Sequence, residues 1–289
     1  MSWALSSKEG IIGTGNWRVF PKASLPLVFE AAEEWKAALE GVERPWLCWC
    51  IDDDWCLVQQ KLVTAAGWTP VVGTDGSVAR PQLTKDAVFV DFNRQLRLPL
   101  MWMHFPLEFA FRFSKMLAFW HSDVLPPTAL MRAIAADFDT IADGQLIGIR
   151  REKVGIAQRA KRLMKGKPLF YRRWFEVIGC TTAGASASQF DNGCGWWRYP
   201  SLHPNARDWV QNAYQREHGV GVWFWEKRCG GRARDMAVDI NAHHYSTNNR
   251  RYVRRWTREG CIGDSKRVEL LRSFNLDRIV KNLGLEDGQ

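Results

Sequence analysis

Apolar and polar positions along this chain repeat with two periods. Phe29, Ala32, Trp35 and Leu39 recur at helical spacing over 26–40, with Gly41 just beyond, where a glycine ends a helix. A short apolar run over 46–51 follows Pro45 and stops at Asp52-Asp53-Asp54, the pattern of a buried strand emerging into a polar loop. By the same reading 57–66 is a helix, 70–73 and 87–92 are strands, and 116–120 is a strand running into His121-Ser122-Asp123. A helix over 128–137 follows Pro126-Pro127, and 145–149 is a further strand. Strands alternating with helices define an α/β fold with a substantially parallel sheet, in which ligands sit beyond the carboxyl ends of the strands.

The later pattern is less regular. It predicts a helix over 205–217, a hairpin of 220–227 with 234–240 around Cys229-Gly230-Gly231, and helices over 248–258 and 265–283. Without repeats or an evident linker, the expectation is a single domain: a nucleotide-binding half over 1–150, an acceptor-binding half over 151–246, and a basic helical extension over 247–289.

Composition narrows the class. The chain has 289 residues, 46% of them hydrophobic and 25% charged, which excludes disorder, collagen and coiled coil. Its net charge of +9 favours anionic partners, and its 16 tryptophans exceed what a core of this size needs, so some rings are expected at a binding surface. The seven cysteines lack both framework and zinc-ribbon spacing, which points to buried thiols in a reducing compartment. No apolar run stands behind a basic start, so a cytoplasmic location is expected. The most apolar stretch, 96–120, is broken by Arg97, His104, Glu108, Arg112 and Lys115 and does not span a bilayer. Its rings at Trp102, Phe105, Phe109, Phe111 and Phe113 are either core or a peripheral membrane surface.

Two apolar strands end in carboxylates, Asp52, Asp53 and Asp54 after one and Asp123 after the other. Carboxylates gathered at strand ends hold hard divalent cations such as Mg²⁺ or Mn²⁺ and, through them, a diphosphate. The alternative is that they cap the helices that follow.

The segment from Lys115 through Trp120 into His121-Ser122-Asp123-Val124 resembles the metal-binding strand end of GT-A glycosyltransferases, where a hydrophobic strand runs into a short acidic motif, usually Asp-x-Asp. The resemblance implies a GT-A-like mixed, mainly parallel sheet flanked by helices, with Asp123 in the place of the last Asp and His121 in that of the first. It further implies that His243 or His244 completes the metal or diphosphate site. Being adjacent, the two point to opposite faces of a strand, so only one reaches a common ion. Asp52, Asp53 and Asp54 would lie at the nucleotide pocket and Lys115 would assist. Gly193-Cys194-Gly195-Trp196-Trp197 resembles a glycine- and tryptophan-rich acceptor segment, and Trp196 and Trp197 are either a sugar platform or a packed corner. Asp191, beside that segment, is the candidate general base, with Glu176 and Glu226 as alternatives. The implied activity is transfer of a sugar from a nucleotide-sugar donor to a glycan, lipid-linked or nucleic-acid acceptor.

Basic residues cluster over 150–173 and again at Arg250, Arg251, Arg254, Arg255 and Arg258, where helical spacing makes a cationic ridge flanked by Tyr252 and Trp256. Such a ridge suits phosphates of a nucleic acid or an anionic membrane surface. Two other readings stay open: metal-dependent phosphoryl chemistry on nucleic acid, with Asp52, Asp54 and Asp123 sharing two ions, and a non-catalytic, tryptophan-rich nucleic-acid binder.

Overall fold

A computed structural model describes residues 24–76, 78–98, 101–151, 173–196, 219–245 and 264–285, together with 4–5, 10–14, 18–21 and the single positions 156, 160 and 164. The sequence-predicted helices over 205–217 and 248–258, the ridge from Arg250 to Arg258, and Trp197 lie outside the described residues.

Strands β1 (Ala4–Leu5), β2 (Gly10–Thr14) and β3 (Arg18–Pro21) form a small antiparallel sheet in the order β1-β3-β2. Helix α1 (Leu25–Ala38) then buries Val28, Ala31, Ala32 and Trp35, one stripe at helical spacing, and the chain turns beyond it at Gly41, φ +78°.

The central sheet begins with β4 (Pro45–Cys50), buried at every position, as a strand covered on both faces must be. Helix α2 (Asp53–Ala65) and β5 (Thr69–Thr74) follow, then the two-residue strand β6 (Val88–Phe89), far shorter than the predicted 87–92. Two single-turn helices, α3 (His104–Leu107) and α4 (Ala110–Phe113), lead into β7 (Met116–Trp120). Next come α5 (Thr128–Phe138), β8 (Gln145–Arg151), β9 (Arg173–Thr182) and α6 (Ala183–Asp191). Helix α7 (Val220–Arg228), β10 (Arg232–Asp235), α8 (Asp264–Arg272) and α9 (Leu276–Lys281) complete the described chain.

Among the described residues the sheet has seven strands in the order β10-β8-β9-β7-β4-β5-β6. Every adjacent pair is parallel except those of β9, which runs against both β7 and β8. The expected α/β architecture with a mixed, mainly parallel sheet is therefore present, and strands from both 1–150 and 151–246 share it. Because β4 and β7 are parallel neighbours, their carboxyl ends open on the same edge.

Alternation along β4 sends its rings to opposite layers. Trp46 packs with Trp68, Trp120 and Phe138 of α5, their ring centroids 5.1 to 5.4 Å from its own. Trp49 faces the other side and meets Phe92, which in turn packs on Trp35 of α1 and Phe113 of α4. The rings of the 96–120 stretch belong to this core: Phe105 and Phe109 are wholly buried, Phe113 and Trp102 nearly so, and Phe111 half-buried. No helix among the described residues is long and apolar enough to cross a membrane.

Two further expectations are corrected. Residues 220–228 form a helix instead of the first arm of a hairpin, because six consecutive residues from Val220 to Trp225 are buried, and a short apolar run buried all round reads alike as strand or helix. Its successor β10 joins the sheet edge parallel to β8. The predicted helix over 265–283 is broken at Ser273 to Asn275, where Asn275 caps α9 by accepting from the Arg278 N–H. This helical end docks on the body through buried Leu271 and Leu283, and Leu283 O accepts from Thr128 N–H at 2.7 Å.

Candidate metal centre

Among the described residues, the groups of side chains that could hold a metal ion gather at the carboxyl edge of β7. His121 and Asp123 follow the strand directly, and the backbone there is held from three sides. The His121 N–H donates to Val177 O of β9 at 2.8 Å. From α2 the wholly buried Gln59 side chain donates to His121 O at 2.8 Å and Val124 O at 3.2 Å.

The third support comes from far along the chain. After β10, a single 3₁₀ turn (Asn241–His243) brings the backbone across the sheet edge, where His244 forms an antiparallel bridge with Val124. The Leu125 N–H donates to His243 O and the Tyr245 N–H to Asp123 O, both at 3.1 Å. This clamp places His244 Nε2 3.3 Å from Asp123 Oδ1, with His121 Nδ1 3.9 Å from the same oxygen. The ligating atoms of His121, Asp123 and His244 lie within 4.8 Å of one another. Asp123 and His244 are buried and His121 is partly so.

A second group shares His121. Ligating atoms of His104, at the start of α3, and Glu176, on β9, lie within 4.8 Å of each other and of His121, and both residues are buried. The β8–β9 pairing shifts register between Gly148 and Ile149, whose partners are Gly179 and Phe175. Glu176 sits in that irregularity, the kind of local break that re-aims a side chain. The rings of Phe175 and Trp102 flank the cluster at 6.0 to 6.4 Å.

Two imidazoles and one carboxylate form a mixed N/O donor set. Imidazole suits Zn²⁺, Cu²⁺, Fe²⁺ and Ni²⁺, whereas carboxylate, carbonyl and water oxygens suit Mg²⁺, Ca²⁺ and Mn²⁺. The residues thus could hold a divalent cation, with Asp123 the oxygen donor that either expected ion, Mn²⁺ or Mg²⁺, requires.

The structure brings His121, Asp123 and His244 together and leaves other sequence-predicted site residues apart from them. His243, in the 3₁₀ turn, is absent from both groups; partial burial lowers its pKa, against the opposing pull of Asp239. Asp52 caps α2, accepting from the Trp55 N–H at 3.4 Å, and pairs with Arg272 Nε at 3.1 Å. Asp53 and Asp54 form the first turn of α2 instead of a loop; Asp53 Oδ1 accepts from the Gln82 N–H at 2.9 Å and Asp54 is exposed. All three stand on the neighbouring strand end, on the same edge as Asp123, yet neither group of ligands among the described residues includes them.

Lys115 precedes β7, at the opposite end of that strand from Asp123, and is exposed. Trp196 is a packed ring rather than an open platform, 2% exposed and edge-on to Phe119 at 5.2 Å. Asp191 is exposed at the last turn of α6. Glu226 is held by Arg150 at 2.6 Å, Lys227 at 2.8 Å and the Trp174 indole N–H at 3.0 Å, a structural post. Sequence reasoning missed Gln59 and His104. The only signal for either was a polar residue inside an apolar stretch.

The sequence matches no family model and no curated protein.

Proposed function

We propose that this chain is a metal-dependent glycosyltransferase of GT-A type, acting on a nucleotide-sugar donor, with Mn²⁺ held by His121, Asp123 and His244. One observation carries the reading. The residues after the strand that resembles the GT-A metal-binding strand converge with a histidine from the segment after the last strand of the sheet, the position that resemblance implies for it. The mixed, mainly parallel sheet supports it, as does the siting of the cluster at carboxyl strand ends.

When bound, the cation supplies Lewis acidity to the diphosphate leaving group. The chain's own residues orient it. Asp123 provides the anionic ligand, the two imidazoles complete three fixed positions, and Gln59 locks the 121–124 backbone so that these positions do not reorganise. Burial of Asp123 and His244 excludes water and strengthens each electrostatic contact.

The test is thermal stability of the full chain with UDP-, GDP-, CDP- or dTDP-containing compounds, with and without Mn²⁺. One nucleoside diphosphate should raise the Tm only when Mn²⁺ is present, because a ligand at about 100 times its Kd stabilises by about 2.7 kcal/mol. Asp123→Asn should abolish the shift. If none of the nucleotides shifts the wild-type Tm, the transferase reading is wrong.

A further inference from the structure

We propose that His104 and Glu176 form a second, inner cation site that shares His121 with the first and takes a borderline divalent ion, Zn²⁺ in particular. Two histidines and a glutamate are a three-ligand zinc set that leaves a fourth position open. Their ligating atoms already lie within 4.8 Å of one another, brought together from α3, the residue after β7, and β9. His104 and Glu176 are each 5% exposed. A carboxylate and an imidazole gathered at such depth are costly to desolvate, and a cation bound between them offsets that cost.

His121 belongs to both groups, and an imidazole serves two cations only through its two nitrogens. Nδ1 faces Asp123 at 3.9 Å, so in the doubly loaded protein Nε2 serves the inner ion. That bridging form is an imidazolate, and the displaced ring proton goes to solvent, as on any metal binding that requires a deprotonated ligand. The inner ion acts by fixing the His121 ring that the outer site depends on.

This inference rests on the ligand geometry and not on sugar transfer, so failure to bind any nucleotide leaves it standing. The test is metal content of the full chain, stripped with chelator, reloaded with Zn²⁺ or Mn²⁺ and measured by elemental analysis. Two ions per wild-type chain are expected. Glu176→Gln and Asp123→Asn should each reduce the count to one, and Co²⁺ loaded into wild type should give visible absorption that saturates in two steps. One ion per wild-type chain overturns the proposal, even if Glu176→Gln weakens that ion, because Glu176 and His104 then only brace His121. A count of two that survives Glu176→Gln overturns it equally. The wild-type count decides the matter if a variant fails to fold.

Discussion

His244 Nε2 stands 3.3 Å from Asp123 Oδ1, and the backbone beneath the pair is stitched by the Val124–His244 bridge and by the Tyr245 N–H to Asp123 O bond. A contact held so firmly by main chain fixes two ligands before any cation arrives. Asp123→Asn or His244→Ala should therefore lower Mn²⁺ affinity by more than about 100-fold, since even groups that merely hold a ligand are worth roughly 10–100-fold. Lys115→Ala, at the far end of β7, should leave it unchanged. Titration calorimetry of each variant with Mn²⁺ checks both outcomes.

Gln59 tests positioning apart from ligation. Its side chain serves the carbonyls of His121 and Val124. Gln59→Leu removes both bonds and leaves buried acceptors, at about 1–3 kcal/mol of stability. The same change should weaken Mn²⁺ binding about 10-fold. Urea unfolding and a metal titration on one preparation separate the two effects, and unaltered affinity in a destabilised protein would deny Gln59 a positioning role.

Asp52 should behave as a structural residue. Asp52→Ala removes the α2 cap and the partner of Arg272, and the cap alone is worth about 0.5–2 kcal/mol. Arg272 is largely exposed, so its ion pair adds little. A fall in the urea midpoint with unchanged Mn²⁺ affinity is expected, whereas a large loss of affinity would return Asp52 to the metal site.

Gly179 and Gly230 make a contrasting pair. A Cβ at Gly179 would meet Ile147 O at 2.6 Å and the Phe119 ring at 2.8 Å, both set inside the sheet. Gly179→Ala should cost about 1–3 kcal/mol or more, as overpacking of a filled core does. At Gly230, φ +75°, nothing lies within 4 Å, so Gly230→Ala should cost only the left-handed backbone penalty of about 1–2 kcal/mol. Chemical denaturation of both variants gives the comparison.

Alkaline pH should destabilise the fold through its thiols. Burial raises the pKa of Cys48 and of Cys180, and a hydrogen bond with Cys56, followed by burial, raises that of Cys50. Each folded thiol titrates above its unfolded value near 8.5, so above about pH 8.5 the folded state holds more protons than the unfolded one and stability falls as pH rises. The slope approaches about 1.4 kcal/mol per pH unit for each such thiol. Unfolding free energies measured between pH 8 and 10 should fall less steeply for Cys180→Ala than for wild type.

The sequence was most legible where burial on both faces or one clear stripe wrote the pattern. Residues 116–120 emerge as β7 with the expected bounds, and the helix over 26–40 differs only at its ends. Asp123 and His121 could be singled out because they end such a strand. The longest strand among the described residues, β9, was invisible to pattern reading: Glu176, Gly179 and the Thr181-Thr182 pair interrupt its apolar residues, and its antiparallel pairing is set by neighbours distant in sequence. The same reason hid His104. Nothing local to an apolar stretch tells that its histidine will meet a glutamate from β9. Asp52 to Asp54 were legible as acidic and illegible as to purpose, because capping a helix and holding a cation call for the same side chain.

The reversed strand β9 also dictates an order of assembly. Strands β7 and β8 do not pair with each other; each pairs with β9, which is made after both. During synthesis the ribosome therefore releases β7 with one flank open until residue 182 has emerged, and unpaired flanks are where nascent chains stick to one another. His244 follows later still, so the cluster of His121, Asp123 and His244 is among the last parts of the nascent protein to close.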